Sequence, residues 1–185
     1  MPYISSFKTH LFTQHLLQGQ VIAYPTEAVY GLGCDPLNGE AVTQLLTLKQ
    51  RPMAKGLILI ASSFDQLIPY LTLDDNDRIQ QMLSTWPGPT TWVVPAQPWV
   101  PPWLRGEHSS LAVRVTNHPI AAALCKAFNG PIVSTSANIS DKPAAKTPVA
   151  VKKQLGLSVP IFTGDLSKLQ QVTPIYDLIT GQQFR

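Results

Sequence analysis

A chain of 185 residues that is 44% hydrophobic and 14% charged has the balance of a folded globular protein; extended disorder and a core too small to stand without staples are both excluded. The formal net charge of +3 and a pI near 8.9 exclude a long basic tail, but fit an anionic small ligand or weak RNA contact as well as they fit a plain solvated surface. Cys34 and Cys125 lack any metal-ligand spacing, the apolar runs are too short to span a membrane, and Met1 to Gln14 holds no signal-peptide core, so a soluble, cytoplasmic protein is expected.

Phe7 to Gln18 reads as an amphipathic helix with Phe7, Leu11, Leu16 and Leu17 on or near one face, stopped by Gly19. Val21 to Tyr24 is a short strand, followed by a polar, turn-forming stretch through Tyr30-Gly31-Leu32-Gly33. Asn38 to Gln50 predicts a second helix with Ala41, Val42, Leu45, Leu46 and Leu48 on its apolar side and Pro52 beyond its end. Leu57 to Ala61 is wholly apolar and predicts a strand covered on both faces. Phe64 to Leu71 has helical character, and Asp74 to Trp86 repeats apolar residues at Ile79, Met82, Leu83 and Trp86 before Pro87-Gly88-Pro89 breaks it.

Thr91 to Val94 predicts a strand, Pro95 to Gly106 an ordered loop rich in Pro and Trp, and Leu111 to Val115 another strand. Pro119 to Phe128 is a helix with Pro in its first turn, and Ile132 to Thr135 a strand ending in a polar loop. Thr147-Pro148 starts a short helix that Gly156 ends; Val159 to Phe162 and Ile175 to Ile179 are strands, with a last strand over Gln183 to Arg185. Strands and helices alternate, yet several neighbouring strands lack a helix between them. The expected architecture is therefore a single α/β domain over 1–185 with a mixed sheet.

Lys49, Arg51 and Lys55 cluster at the end of a helix and before a buried strand. The helix dipole accounts for Lys49 and Arg51 but not for Lys55; three convergent cations also suit a polyphosphate. Ser134 to Ser140 is a hydroxyl-rich loop at a strand end, which is either an ordinary self-capped turn or a ligand loop. Pro25-Thr26-Glu27 with Gly31 and Gly33 permits close backbone approach, but no GxGxxG or Walker A sequence is present. Arg114 alternates with Val113 and Val115 in its strand, pointing either to solvent or to a carboxylate ligand. The four histidines have no metal spacing and no GxSxG elbow exists, so neither a zinc site nor Ser-His-Asp hydrolysis is expected.

Five segments then combine: PTEAVYGLGCD at 25–35, KQRPMAKGLILI at 49–60, PGPTTWVVPA at 87–96, SLAVRVTNHP at 110–119 and STSANIS at 134–140. In this order they resemble the YrdC-type family of threonylcarbamoyl-AMP synthases, in its short single-domain bacterial form. The resemblance implies a twisted open mixed sheet flanked by helices, with a concave basic face. It implies the reaction of L-threonine, bicarbonate or CO₂ and ATP, with Mg²⁺, to threonylcarbamoyl-AMP and pyrophosphate. The product would feed threonylcarbamoyl-adenosine modification of tRNA, with transient contact to tRNA and to the transfer proteins TsaD, TsaB and TsaE. It implies ATP-binding roles for Lys49, Arg51, Lys55, Ser134, Ser136, Asn138 and Arg185, and threonine-binding roles for Thr26, Arg114 and Thr173. No covalent catalyst and no metal-ligating side chain is expected. Three positions depart from the pattern: Ile60 where longer relatives have a histidine, Asp141 where Gly commonly follows the loop, and Pro174 in place of a polar residue. The rival function is a non-catalytic RNA-binding module; the carbamoyl-adenylate-making domain of HypF is a second relative, set in a much larger chain.

Overall fold

The computed structural model describes residues 5–167, 169 and 173–184. Helix α1 (Ser6–Leu17) starts where the Ser5 hydroxyl accepts the Lys8 N–H at 3.3 Å. It buries Phe12, Thr13 and Leu16, whereas Phe7, Leu11 and Leu17 are exposed, which corrects the expected apolar face. Phe12 and Leu16 lie one turn apart and meet Phe162 and helix α5 (Pro119–Phe128); Phe7 and Leu17 fall off that stripe. Helix α2 (Gly39–Lys49) is capped by Asn38, whose Oδ1 accepts the Ala41 N–H at 3.0 Å, and turns off at Gln50 in the left-handed region. Helices α3 (Asn76–Ser84), α4 (Pro102–Arg105) and α6 (Pro148–Leu155) complete the described set.

Seven strands, β1 (Ile22–Pro25), β2 (Tyr30–Gly33), β3 (Ile58–Ala61), β4 (Thr91–Pro95), β5 (Ser110–Val115), β6 (Ile132–Ser136) and β7 (Ile175–Asp177), form one sheet in the order β1-β2-β6-β3-β5-β4-β7. The β3–β5 and β4–β7 pairs are parallel and the others antiparallel, so the mixed sheet expected from missing crossovers is what forms. One face carries Leu59, Ala61, Val113, Val115, Val133 and Leu32 against α2 and α6. The other carries Ile22, Tyr24, Ile60 and Ile132 against α1 and α5. β3 is covered on both faces, as its unbroken apolar run requires.

The structure departs from the sequence reading in several places. Tyr30-Gly31-Leu32-Gly33 is strand β2, not only a turn, because its glycines admit a neighbour. A Cβ on Gly33 would meet the Val133 carbonyl and lie 2.8 Å from Tyr24 Cε1, so only a bare backbone lets the Tyr24 ring cover β2. Phe64 to Leu71 contains two 3₁₀ turns rather than one helix. The 95–106 loop holds α4, and its Trp103 indole donates to the Pro36 carbonyl at 3.0 Å. Val159 to Phe162 meets the sheet only as a single parallel bridge between Ala23 and Ile161, and the last strand only as a bridge from Tyr176 to Gln183; Arg185 lies outside the described residues.

Candidate active site

The loop from Thr26 to Val29 joins β1 to β2 and is closed by the Thr26 hydroxyl, which donates to the Val29 carbonyl at 2.7 Å. This closure carries Glu27 into the interior, where it is fully buried. Glu27 Oε2 lies 3.2 Å from Arg114 Nη2, and Glu27 Oε1 accepts from the Thr116 hydroxyl at 2.6 Å. The Arg114 contact is one of charge, since Oε2 has no aligned hydrogen bond among the described residues. Arg114 Nη1 donates to Thr173 Oγ1 at 2.9 Å. Thr116 in turn accepts the His118 backbone N–H at 3.1 Å, and His118 Nε2 lies 3.0 Å from the Asp165 carbonyl. A carbonyl only accepts, so the proton sits on Nε2 and leaves Nδ1 bare. Burial, the larger effect, holds the His118 pKa below its ordinary value against the pull of the Asp165 carbonyl and Glu27, favouring that neutral ring.

Strand geometry gathers further polar atoms here. Trp92 stands opposite Val113, so the same register sets Thr91 beside Arg114 on one face. Glu27 Oε2, Thr91 Oγ1, Arg114 Nε and His118 Nδ1 are buried and have no hydrogen-bond partner among the described residues. Buried polar atoms are normally satisfied, and a group of them around one guanidinium is the signature of a polar ligand site.

The second group is built on α2 and β6. Lys49 closes the last turn of α2 but is 2% exposed, and its Nζ donates to the carbonyls of Ser136 and Asn138 and to Asn138 Oδ1. Burial, then the neighbouring Arg51, pulls its pKa from 10.5 to about 8. Asn138 Nδ2 donates to the carbonyls of Ile139 and Lys142, at 2.8 and 2.7 Å, and with Lys49 Nζ at Oδ1 its amide orientation is fixed by three contacts. Arg51 donates to the Gly56 carbonyl through Nη2 at 2.9 Å, which curls 51–56 back beneath an exposed Lys55. Ser134 is buried beside Tyr24, whose hydroxyl donates to the Val133 carbonyl at 3.3 Å and whose phenol burial pushes far up; Ser134, Arg114 and Glu27 all act on that phenol, so Ser134 and Arg114 share one neighbour.

The structure thus joins Arg114, Thr173 and the Thr26 loop in one cluster, and Lys49, Arg51, Ser136 and Asn138 in another, bridged by Tyr24 and Ser134. Arg114 is not a solvated surface arginine. Glu27, Thr116, His118 and Thr91 went unassigned in the sequence; the available signal was their place inside the PTEAVYG, SLAVRVTNHP and PGPTTWV segments. Ile60 lies in the apolar core as the cross-strand neighbour of Arg114. Asp141 adopts φ 63, the left-handed region that favours glycine. Asp141→Gly is therefore expected to raise stability by about 0.5–1 kcal/mol, read from the urea midpoint at unchanged m-value. Among the described residues no group of three or more His, Cys, Asp or Glu could hold a metal ion, and no helix is long and apolar enough to cross a membrane. A depression of about 500 Å³ on the outer face of α2 is lined by Gly39, Glu40, Thr43, Gln44, Thr47 and Leu48, none of them a residue of either cluster.

A family model described as "Telomere recombination" (Sua5_yciO_yrdC) matches residues 14–184. The chain belongs to the Sua5/YciO/YrdC family. Among its members, a Methylococcus capsulatus protein named Threonylcarbamoyl-AMP synthase is 47% identical over 186 residues, covering 100% of both chains. A Klebsiella pneumoniae protein of the same name is 52% identical over 168 residues, covering 89% of this chain and 88% of its own. Among solved structures, that of P. abyssi Sua5 complexed with L-threonine superposes with a TM-score of 0.87 at 30% identity; it covers 95% of this chain, which spans 52% of that one. The twisted mixed sheet is thus the Sua5/YciO/YrdC fold.

Proposed function

We propose that this chain makes L-threonylcarbamoyladenylate from L-threonine, bicarbonate or CO₂ and ATP, releasing pyrophosphate, and acts on the path to threonylcarbamoyl-adenosine in tRNA. The observation that carries the reading is the buried Arg114 whose Nε, beside the Thr91 hydroxyl, has no partner among the described residues, two donors suited to one small carboxylate. The names of the relatives and the threonine complex of Sua5 support it.

In this reading Thr26, Arg114 and Thr173 line the threonine side, and Lys49, Arg51, Lys55, Ser134, Ser136 and Asn138 the nucleotide side, making the concave face basic. Arg185 belongs to the nucleotide side from sequence alone. Lys49 acts mainly by holding the 136–138 backbone in place, while Lys55 and the outer edge of Arg51 reach the phosphates. Threonine's neutral amine adds to CO₂ and gives up one N–H proton to water, leaving a carbamate; a carbamate oxygen attacks the α-phosphorus in line, and the bond to the leaving pyrophosphate breaks. Positioning and charge neutralisation suffice for such a transfer. Mg²⁺ would come with the nucleotide and neutralise phosphate charge; among the described residues no group of three or more His, Cys, Asp or Glu could hold it. Thr173 already touches Arg114, which favours the C-terminal segment over the 95–106 loop as the cover of the threonine side. A single unit spanning 1–185 carries the activity in the cytoplasm, and the labile adenylate passes to tRNA through the transfer proteins TsaD, TsaB and TsaE.

The test is to incubate the chain with ATP, Mg²⁺, bicarbonate and each amino acid in turn. Pyrophosphate and an adenylate of the mass expected for threonine should appear with threonine. Salt-sensitive RNA binding with no pyrophosphate release would return the protein to an RNA-binding module.

A further inference from the structure

Arg114 has five N–H donors, and two of its nitrogens are held: Nη1 by Thr173 and Nη2 by Glu27. Its planar fork has value to a ligand only if the Nε edge, which has no hydrogen-bond partner among the described residues, faces the ligand. Three observations point to one device that sets this angle. Glu27 is fully buried and lies against Arg114 Nη2. Its other oxygen is fixed at 2.6 Å by Thr116, whose oxygen is itself fixed by the His118 backbone N–H at 3.1 Å. The His118 ring anchors this segment on the Asp165 carbonyl at 3.0 Å and Thr173 holds Arg114 from another side, so the 114–118 stretch that grips the carboxylate is itself braced from two further segments. The Thr116 hydroxyl satisfies the buried Oε1, and because Thr116 is itself fixed it also sets the direction in which the carboxylate faces Arg114.

We propose that Glu27, braced by Thr116, is the positioning residue of the site: it turns the Arg114 guanidinium so that the Nε edge, beside Thr91, meets the substrate carboxylate. The inference rests on the reading of Arg114 as the carboxylate partner. Glu27 never touches the reacting atoms; it acts through Arg114, so its removal bears on the amino acid and spares the nucleotide. A role in holding the fold alone would weaken both ligands together.

The experiment compares Glu27→Gln, Glu27→Asp and Thr116→Val with the parent for threonine KM, kcat and ATP affinity, with the cooperative melt of each variant as the fold control. Glu27→Gln keeps the shape and removes the charge. The threonine KM should rise about tenfold or more, with ATP affinity within about twofold of the parent. Glu27→Asp restores the charge on a shorter stem and should recover part of the loss. Thr116→Val leaves Glu27 in place without its brace and should raise the threonine KM about three- to tenfold at unchanged kcat. A folded Glu27→Gln with parental threonine KM, or with equal losses for both ligands, overturns the proposal. Should Glu27→Gln fail to fold, Thr116→Val decides alone, and a parental KM there overturns it. Arg114→Lys separates the two levels: if it too has parental threonine affinity, the carboxylate reading fails; if it is impaired while the Glu27 and Thr116 variants are not, only the positioning role fails.

Discussion

Arg114→Ala is expected to abolish threonine-dependent pyrophosphate release and to destabilise the fold by about 3–5 kcal/mol, because it leaves the fully buried Glu27 as a charge without its partner. The two losses have different origins, and two further variants separate them. Arg114→Lys keeps a cation near Glu27 but offers a compact point charge in place of the planar fork, so stability is largely retained while the threonine KM rises about a hundredfold. Arg114→Met with Glu27→Gln removes both charges, and replacing a buried pair by groups of similar volume is often neutral, so the melt should return toward the parent with threonine binding still lost. Melting curves and threonine-dependent pyrophosphate release check all three. Threonine-stimulated release by the double variant would remove Arg114 from the site.

Lys49→Met should lower ATP-dependent turnover by about a hundredfold or more and cost about 1–3 kcal/mol of stability, because the buried Asn138 carbonyl loses the ammonium and the Ser136 carbonyl keeps only the Asn138 N–H at 3.0 Å. Methionine fills the alkyl channel, so the loss is one of hydrogen bonds rather than of packing. The other anchors of the loop that follows β6 lie at Tyr30, whose carbonyl accepts the Ala137 N–H at 2.7 Å, at the Lys49 carbonyl, which accepts the Ser140 N–H at 2.8 Å, and at Gln154, which bonds Ile139 and Pro143. Threonine affinity should change less than ATP affinity, since Thr26, Arg114 and Thr173 do not contact Lys49. Titration gives the same residue a second signature. Its pKa is about 8 in the fold and 10.5 ordinarily, so between those values the unfolded chain binds the proton that the folded chain has released. Stability from this group therefore rises with pH over that window and is lost as pH falls through 8. Turnover should move the opposite way, falling above pH 8 as the ammonium beside the 136–138 backbone loses its charge. A pH–rate profile alongside melts in the same buffers reads both, and turnover that stays level to pH 10 would contradict the assignment.

Much of the architecture is legible in the order of residues because the local rules and the final packing agree. The apolar run Leu57 to Ala61 leaves no face for water, so β3 is central wherever the chain folds. Asn38 and Pro119 start helices for reasons contained within one turn. The alternation of Val113, Arg114 and Val115 places the guanidinium on the face opposite those valines, whatever it meets there. β2 is not legible in this way. Tyr30-Gly31-Leu32-Gly33 has poor strand propensity on its own, and becomes a strand because β1 and β6 flank it and the Tyr24 ring needs bare backbone.

The site divides along the same line. Composition and spacing by themselves determined that cations gather at Lys49, Arg51 and Lys55, that hydroxyls gather at 134–140, and that one arginine interrupts an apolar strand. Only the tertiary structure decided what each does: Lys49 is turned inward onto carbonyls, Lys55 outward, and Arg114 is locked to a carboxylate 87 positions earlier in the chain. The physical reason is that a charge shows its type in sequence but not its solvation. Whether it stands in water or must be paired depends on which distant segments close over it, and that is a property of the sheet order, not of any neighbour along the chain.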